Sequence, residues 1–155
     1  MTFALGTTSE ANLIGVEPKL ICCVRYAIKR TAQDFGVFEG LRSLERQKKL
    51  VAAGASRTLD SYHLDGHAVD LVPYVDGRLQ WQAPCCIEVA KWMHAASLAL
   101  SVRLVWGAVW DRELASLSAT DLEDEVDGYV RRYKQAHPGK KPLIDYPHFQ
   151  LVRHQ

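Results

Sequence analysis

The chain lacks most of what marks a membrane, secreted or polyanion-binding protein. Its opening stretch MTFALGTTSEANLIG holds neither a basic leader nor a sustained apolar run, which argues against a secretory signal and against a span of about 20 apolar residues. Charge of one sign is absent too: 19 basic residues against 18 acidic leave a net +1, too little to build the field that draws a nucleic acid. The short basic runs Lys48-Lys49, Arg131-Arg132 and Lys140-Lys141 read as solvated helix faces. No nucleic-acid partner and no integral membrane segment are expected, and the chain reads as soluble and cytosolic where it is made.

Cysteine is scarce and poorly spaced for metal or redox work. Cys22-Cys23 and Cys85-Cys86 are adjacent pairs inside apolar stretches, without the two-residue gap of a zinc or dithiol motif, so buried free thiols are expected. No repeat, low-complexity tract or Gly/Ser linker divides the sequence. With 155 residues and 48% apolar content, the chain fits one domain, residues 1–155, whose core can stand without disulfide staples. A lone domain without an exposed apolar stripe is expected to be a monomer.

The local pattern is α+β. Gly15 closes a short helix over residues 9–14, and Pro18 opens a second in which Leu20, Ile21, Val24, Ala27 and Ile28 fall at helical spacing. Residues 35–39 read as a strand; Ser43 caps a helix over 44–53 that Gly54 ends, with Arg42 at the junction. Residues 67–74 form a strand running into Asp76-Gly77, a type I′ turn, from which 78–81 return. Pro84 opens a helix with Cys86, Ala90, Met93, Ser97 and Leu100 on its apolar face, and Val102, Leu104 and Trp106 alternate as a strand. Thr120, followed by Asp121, Glu123 and Asp124, starts a helix reaching about Gln135. Residues 146–152 are the last strand, with His148 and Gln150 on one face and Phe149 and Leu151 on the other. The expected fold is a small antiparallel sheet flanked by helices.

Two segments carry chemistry: SYHLDGHAVD, Ser61 to Asp70, and DYPH, Asp145 to His148. His63, Asp70 and His148 offer two imidazoles and a carboxylate, the three-ligand set of a zinc ion that keeps a fourth position for water. Ala68 and Asp70 point to one side of their strand and Val69 and Leu71 to the other, so the carboxylate faces a cleft while its neighbours anchor the sheet. Gly66 lets the His63 loop fold back. Asp145, held three residues before His148 by the stiff Pro147, suits a general base: zinc lowers the pKa of bound water to about 7, and a carboxylate beside it takes the proton. Arg42, oriented by Glu39 or Gln47, is placed to steady the oxyanion or a substrate carboxylate.

Ser61, His63, Gly66, Ala68 and Asp70 match the pattern Ser-x-His-x-x-Gly-x-Ala-x-Asp. With Asp145 and His148 and the segment EGLRSLERQ, Glu39 to Gln47, the chain resembles the family of zinc D-alanyl-D-alanine carboxypeptidases and L-alanyl-D-glutamate endopeptidases. Among its members the chain looks most like single-domain phage endolysins of Gram-negative hosts. The resemblance implies the hedgehog/DD-peptidase fold, a zinc cofactor and bacterial peptidoglycan as substrate, cut between L-alanine and D-glutamate. It implies His63, Asp70 and His148 as ligands, Asp145 as base and Arg42 as a transition-state or substrate contact, with Ser61 supporting substrate or the metal loop. Gln47 and Trp106 are expected among the substrate contacts, with Trp110 also able to line the cleft, whereas Trp81 and Trp92 are expected in the core. Asp65, His67, His94, His137 and His154 match no fixed position and read as structural or solvent-facing.

Two further expectations follow from the resemblance. Such endolysins read Trp-Gly-Gly-Asp-Trp and soon reach the histidine strand, whereas this chain reads WGAVWD, Trp106 to Asp111, and then carries an insertion over about 112–144 with its own helix. The insertion is expected near the cleft. A cytosolic endolysin also needs a holin-type release protein, which places the chain in the host cytoplasm until it is released to act on the periplasmic wall. A D-alanyl-D-alanine carboxypeptidase and a non-catalytic zinc-binding module are the alternatives; the second has no need of Asp145.

Overall fold

A computed structural model describes residues 2–153; His154 lies outside the described residues. Helix α1 (Thr7–Asn12) and helix α2 (Pro18–Ile28) lead into β1 (Phe35–Glu39), followed by α3 (Leu44–Ala52), β2 (Ala68–Val75), the two-residue β3 (Arg78–Leu79), α4 (Ala83–Leu100), β4 (Leu104–Trp106), α5 (Leu122–Ala136) and β5 (His148–Leu151). The strands pair antiparallel in the order β1-β2-β5-β4, with β3 turned back on β2. This is the expected α+β architecture.

One face of the sheet makes the core. Val69, Leu71, Leu104, Trp106 and Phe149 pack there against Leu20 and Val24 of α2 and Val89 and Met93 of α4, each burial stabilising by about 1.5–3 kcal/mol. Asp70 and His148, directly opposite each other on β2 and β5, occupy the other face. Strand alternation alone accounts for this division.

β1 departs from alternation where it matters. Val37 pairs with Leu71 and Glu39 with Asp70, so the register slips by one residue at Phe38. Without the slip Glu39 would join Val37 on the core face. With the extra residue it lies beside Asp70, and Phe38 stands exposed next to it; such bulges re-aim side chains.

Element ends differ from expectation for local reasons. α1 stops at Asn12, and Gly15 serves a later left-handed turn. Thr120 does not cap α5: its hydroxyl donates to Asp121, while Glu125 reaches back to the Ser118 N–H. Glu123, Asp124 and Glu125 still load the first turn with negative charge. Leu100 is exposed because α4 ends there as the chain turns left-handed at Ser101. β5 is shorter than 146–152. Of each cysteine pair only the second is buried, Cys23 and Cys86, since neighbours on a helix point about 100° apart. Burial pushes both thiols up to about 12.

Candidate metal centre

Ser61 begins the site. Its Oγ accepts from the His63 N–H at 3.3 Å, winding Tyr62–Asp65 into a single 3-10 turn, which local spacing had not suggested. Gly66 closes that turn at φ +75, and a Cβ there would meet the Gly15 carbonyl oxygen at 2.2 Å. Only glycine fits. The turn delivers the buried His63 imidazole to the sheet face holding Asp70 and His148.

The three groups converge. Asp70 Oδ1 lies 3.3 Å from both His63 Nε2 and His148 Nδ1, and one ligand atom from each residue falls within 4.8 Å of the others. The outer ring nitrogens are anchored: His63 Nδ1–H donates to the Gly40 carbonyl at 2.8 Å and His148 Nε2–H to Gln150 Oε1 at 2.8 Å. With the protons on those outer nitrogens both inner lone pairs are free for a metal; without one, a proton on the inner nitrogens bonds Asp70 instead. Gln150 was legible in the sequence only as a neighbour of His148 on one strand face.

Electrostatics point the same way. Burial would raise the Asp70 carboxyl, but hydrogen bonds and charge from His148 and His63 outweigh it and hold Asp70 well below the usual carboxylate range. Burial would likewise lower His148, yet its bond to Asp70 raises it. A carboxylate flanked by two inward lone pairs calls for positive charge, supplied by a proton or by a metal. The donor set fits a divalent ion that accepts nitrogen and oxygen.

Arg42 is held beside this cluster. Its Nε and Nη2 donate to Glu39 at 2.8 and 2.7 Å, its Nη1 to Gln47 at 2.8 Å, and Nη2 stands 3.6 Å from Asp70 Oδ2. Arg46 also bonds Glu39. Burial would raise Glu39, but the two arginines more than offset it and its pKa lies below the ordinary value. Gln47 is wholly buried, its amide donating to Ser56 Oγ and the Thr58 carbonyl. It clamps Arg42 and has no free edge for substrate, which corrects its expected role.

Trp106 requires a second correction. It is 0% exposed, stacks on its cross-strand partner Phe149 and donates to the Tyr146 carbonyl. It belongs to the core, because alternation puts it on the face opposite His148. Trp110 does line the cleft, tilted over the His148 ring at 5.1 Å. So does Trp81, which is half exposed and not in the core.

Asp145 reaches the same cleft as His63, Asp70 and His148. The Asp145 N–H donates to the Gly107 carbonyl and the Gly107 N–H to the His148 carbonyl, each at 2.8 Å. A Cβ on Gly107 would come 2.3 Å from the Asp145 carbonyl oxygen and 2.9 Å from His148 Cβ, so this glycine lets base and ligand segments pack together. Burial, then the Asp70 charge, raises the Asp145 carboxyl against the pull of His148, His63 and Arg42. A raised carboxyl is suited to taking a proton.

The cleft measures about 480 Å³. Leu143, at the end of the insertion, lines it together with Phe38, Arg46, Arg57 and Ser61, and an Arg132–Asp111 pair at 2.6 Å ties α5 to the segment after Trp110. Of the other polar residues, His94 bonds the Leu117 carbonyl, His137 the Tyr133 carbonyl, and Asp65 pairs with Arg153, while His67 Nδ1 lies 3.5 Å from Asp65 without a hydrogen bond.

The family model for phage L-alanyl-D-glutamate peptidase matches residues 1–130, a stretch containing His63 and Asp70. The L-alanyl-D-glutamate peptidase of Escherichia phage T5 is 30% identical over 130 residues, covering 81% of this chain and 90% of that protein. The enzyme of the same name from Listeria phage A118 is 34% identical over 74 residues, 48% of this chain and 25% of its own length. The crystal structure of the Serratia marcescens L-Ala D-Glu endopeptidase ChiX superposes with a TM-score of 0.69 at 32% identity, over 96% of this chain and 90% of that one. With the family model spanning well over half its length, and a relative 30% identical over 90% of its own length, the chain belongs to the phage L-alanyl-D-glutamate peptidase family.

Proposed function

We propose that this protein is a zinc-dependent endopeptidase that hydrolyses the L-alanyl to D-glutamate bond of peptidoglycan stem peptides. The observation that carries the reading is the inward convergence of His63 Nε2, Asp70 Oδ1 and His148 Nδ1 beside Asp145 in one cleft. The bond itself is taken from the names of relatives in phage T5 and in Serratia.

His63, Asp70 and His148 would hold the ion, whose chemistry is to acidify water and polarise a carbonyl. Asp145 takes the proton of the attacking water on a carboxylate oxygen and passes it to the departing amine nitrogen, a role its place in the same cleft allows. Arg42 has five N–H donors, three of them bonded to Glu39 and Gln47. Of the remaining two, the one on Nη2 has Asp70 Oδ2 3.6 Å away; in this reading the guanidinium, already held in place, lends its positive charge to the oxygen that becomes negative, with little reorganisation. Ser61 acts through the His63 loop, which its Oγ caps.

In this reading the protein is an endolysin, a monomer that waits in the host cytoplasm, is released by a holin-type protein and lyses the cell from the periplasmic side of the wall. Mass spectrometry of purified peptidoglycan digested with the zinc-loaded protein tests the bond. New D-glutamate amino termini are expected; release of D-alanine alone would establish a carboxypeptidase instead.

A further inference from the structure

The wall of the cleft carries apolar surface that the peptide chemistry does not use. Phe38 and Trp81 are 45% and 49% exposed, their ring centroids 4.9 Å apart at 83°, and both line the cavity that contains the metal-ligating group. They come from separate elements: Phe38 is the extra residue of the β1 register slip, and Trp81 follows β3. Burying either ring against the core would stabilise the fold, so half-exposed aromatics that meet at the rim of a polar site imply an apolar occupant.

The substrate class narrows that occupant. In a stem peptide only one residue, L-alanine, separates the scissile bond from the lactyl ether of N-acetylmuramic acid. At about 3.5 Å per residue-length unit, the sugar begins roughly 7 Å from the reacting carbonyl. The peptide on that side offers a single methyl group, and the residues beyond the bond are rich in carboxylates. On that side of the scissile bond the pyranose ring is the part of the substrate with enough C–H surface to meet both rings.

We propose that Phe38 and Trp81 form an aromatic shelf for the N-acetylmuramic acid ring adjoining the scissile bond, one aromatic face stacked on the sugar and the other ring, at 83° to it, against the sugar's edge, making the glycan strand part of what the enzyme recognises. The inference rests on the L-alanyl to D-glutamate reading of the site. The slip at Phe38 then has two consequences: it turns Glu39 toward Arg42 and it presents the ring to the sugar.

The test compares two soluble substrates with the zinc-loaded enzyme: a muramyl tripeptide and the same tripeptide without the sugar. Wild-type enzyme is expected to favour the muramyl form, and Phe38→Ala and Trp81→Ala to reduce the ratio of the two kcat/KM values about tenfold, through KM. Trp81→Phe, which keeps a stacking ring, retains most of the preference. An unchanged ratio in the alanine variants, whether both activities hold or both fall together, overturns the shelf. Should wild-type enzyme cut neither substrate after L-alanine, the bond assignment fails and the shelf with it; cleavage of both with equal efficiency removes the shelf alone.

Discussion

Replacing Gln150 by leucine should weaken zinc binding without touching a ligand. Gln150 Oε1 accepts from His148 Nε2–H at 2.8 Å, and His148 is buried. Leucine fills similar volume but leaves that N–H unpaired, at a cost of about 1–3 kcal/mol. The imidazole can escape the cost by moving its proton to Nδ1, where Asp70 Oδ1 waits at 3.3 Å. That tautomer points a proton where the metal lone pair should be. Loss of such a support typically costs about 10–100-fold in metal affinity, or about 1.4–2.7 kcal/mol. Competitive titration against a chromophoric chelator reads the effect, with denaturant unfolding of the metal-free variant as a control for folding. Gln150→Glu, which retains an acceptor, should bind at least as tightly as wild type. If the leucine variant bound zinc within about twofold of wild type, Gln150 would have no hold on the tautomer and the reasoning would be refuted.

Three other outcomes are expected. Asp145→Asn should abolish turnover while retaining stoichiometric zinc, whereas His148→Ala should lose both; an active asparagine variant removes Asp145 as the base. Because contact with Asp70 raises His148 above its ordinary value of 6.5, proton and zinc compete for the same lone pair, so apparent zinc affinity should fall as pH drops through that raised pKa. Titrations at about pH 8 and about pH 6 check this, and equal affinities at the two would contradict it. Gly107→Ala drives a Cβ to 2.3 Å from the Asp145 carbonyl oxygen; destabilisation by about 1–3 kcal/mol in denaturant unfolding, with loss of activity, is expected, and a fully active variant of wild-type stability would show the packing to be soft.

Much of the fold could be read locally. Phe35–Glu39 and the start of α2 at Pro18 lie where turn and cap chemistry put them, and Ser43 Oγ accepts from the Arg46 N–H as an N-cap should. The ligand set was legible because the spacing of Ser61, His63, Gly66, Ala68 and Asp70 is itself local, and period-two alternation separates His148 from Phe149. The errors concern residues whose environment is made by distant chain. Gln47 and Trp106 have the composition of substrate contacts, but one is enclosed by Arg42, Ser56 and Thr58 and the other is laid on Phe149.

The sequence by itself determined which side chains can bind a metal, which faces of the strands carry them and where the chain turns, since those properties depend on residue type and near-neighbour geometry. Only the tertiary structure decided how the groups meet. Asp70 and His148 are 78 positions apart and come within 3.3 Å because β2 and β5 pair in one register; shifting that register by one residue would send His148 to the core face. The slip at Phe38 turns Glu39 onto Arg42 and raises two rings at the cleft, and the missing Cβ of Gly107 lets Asp145 close on His148. Such outcomes depend on long-range pairing, which no local pattern encodes.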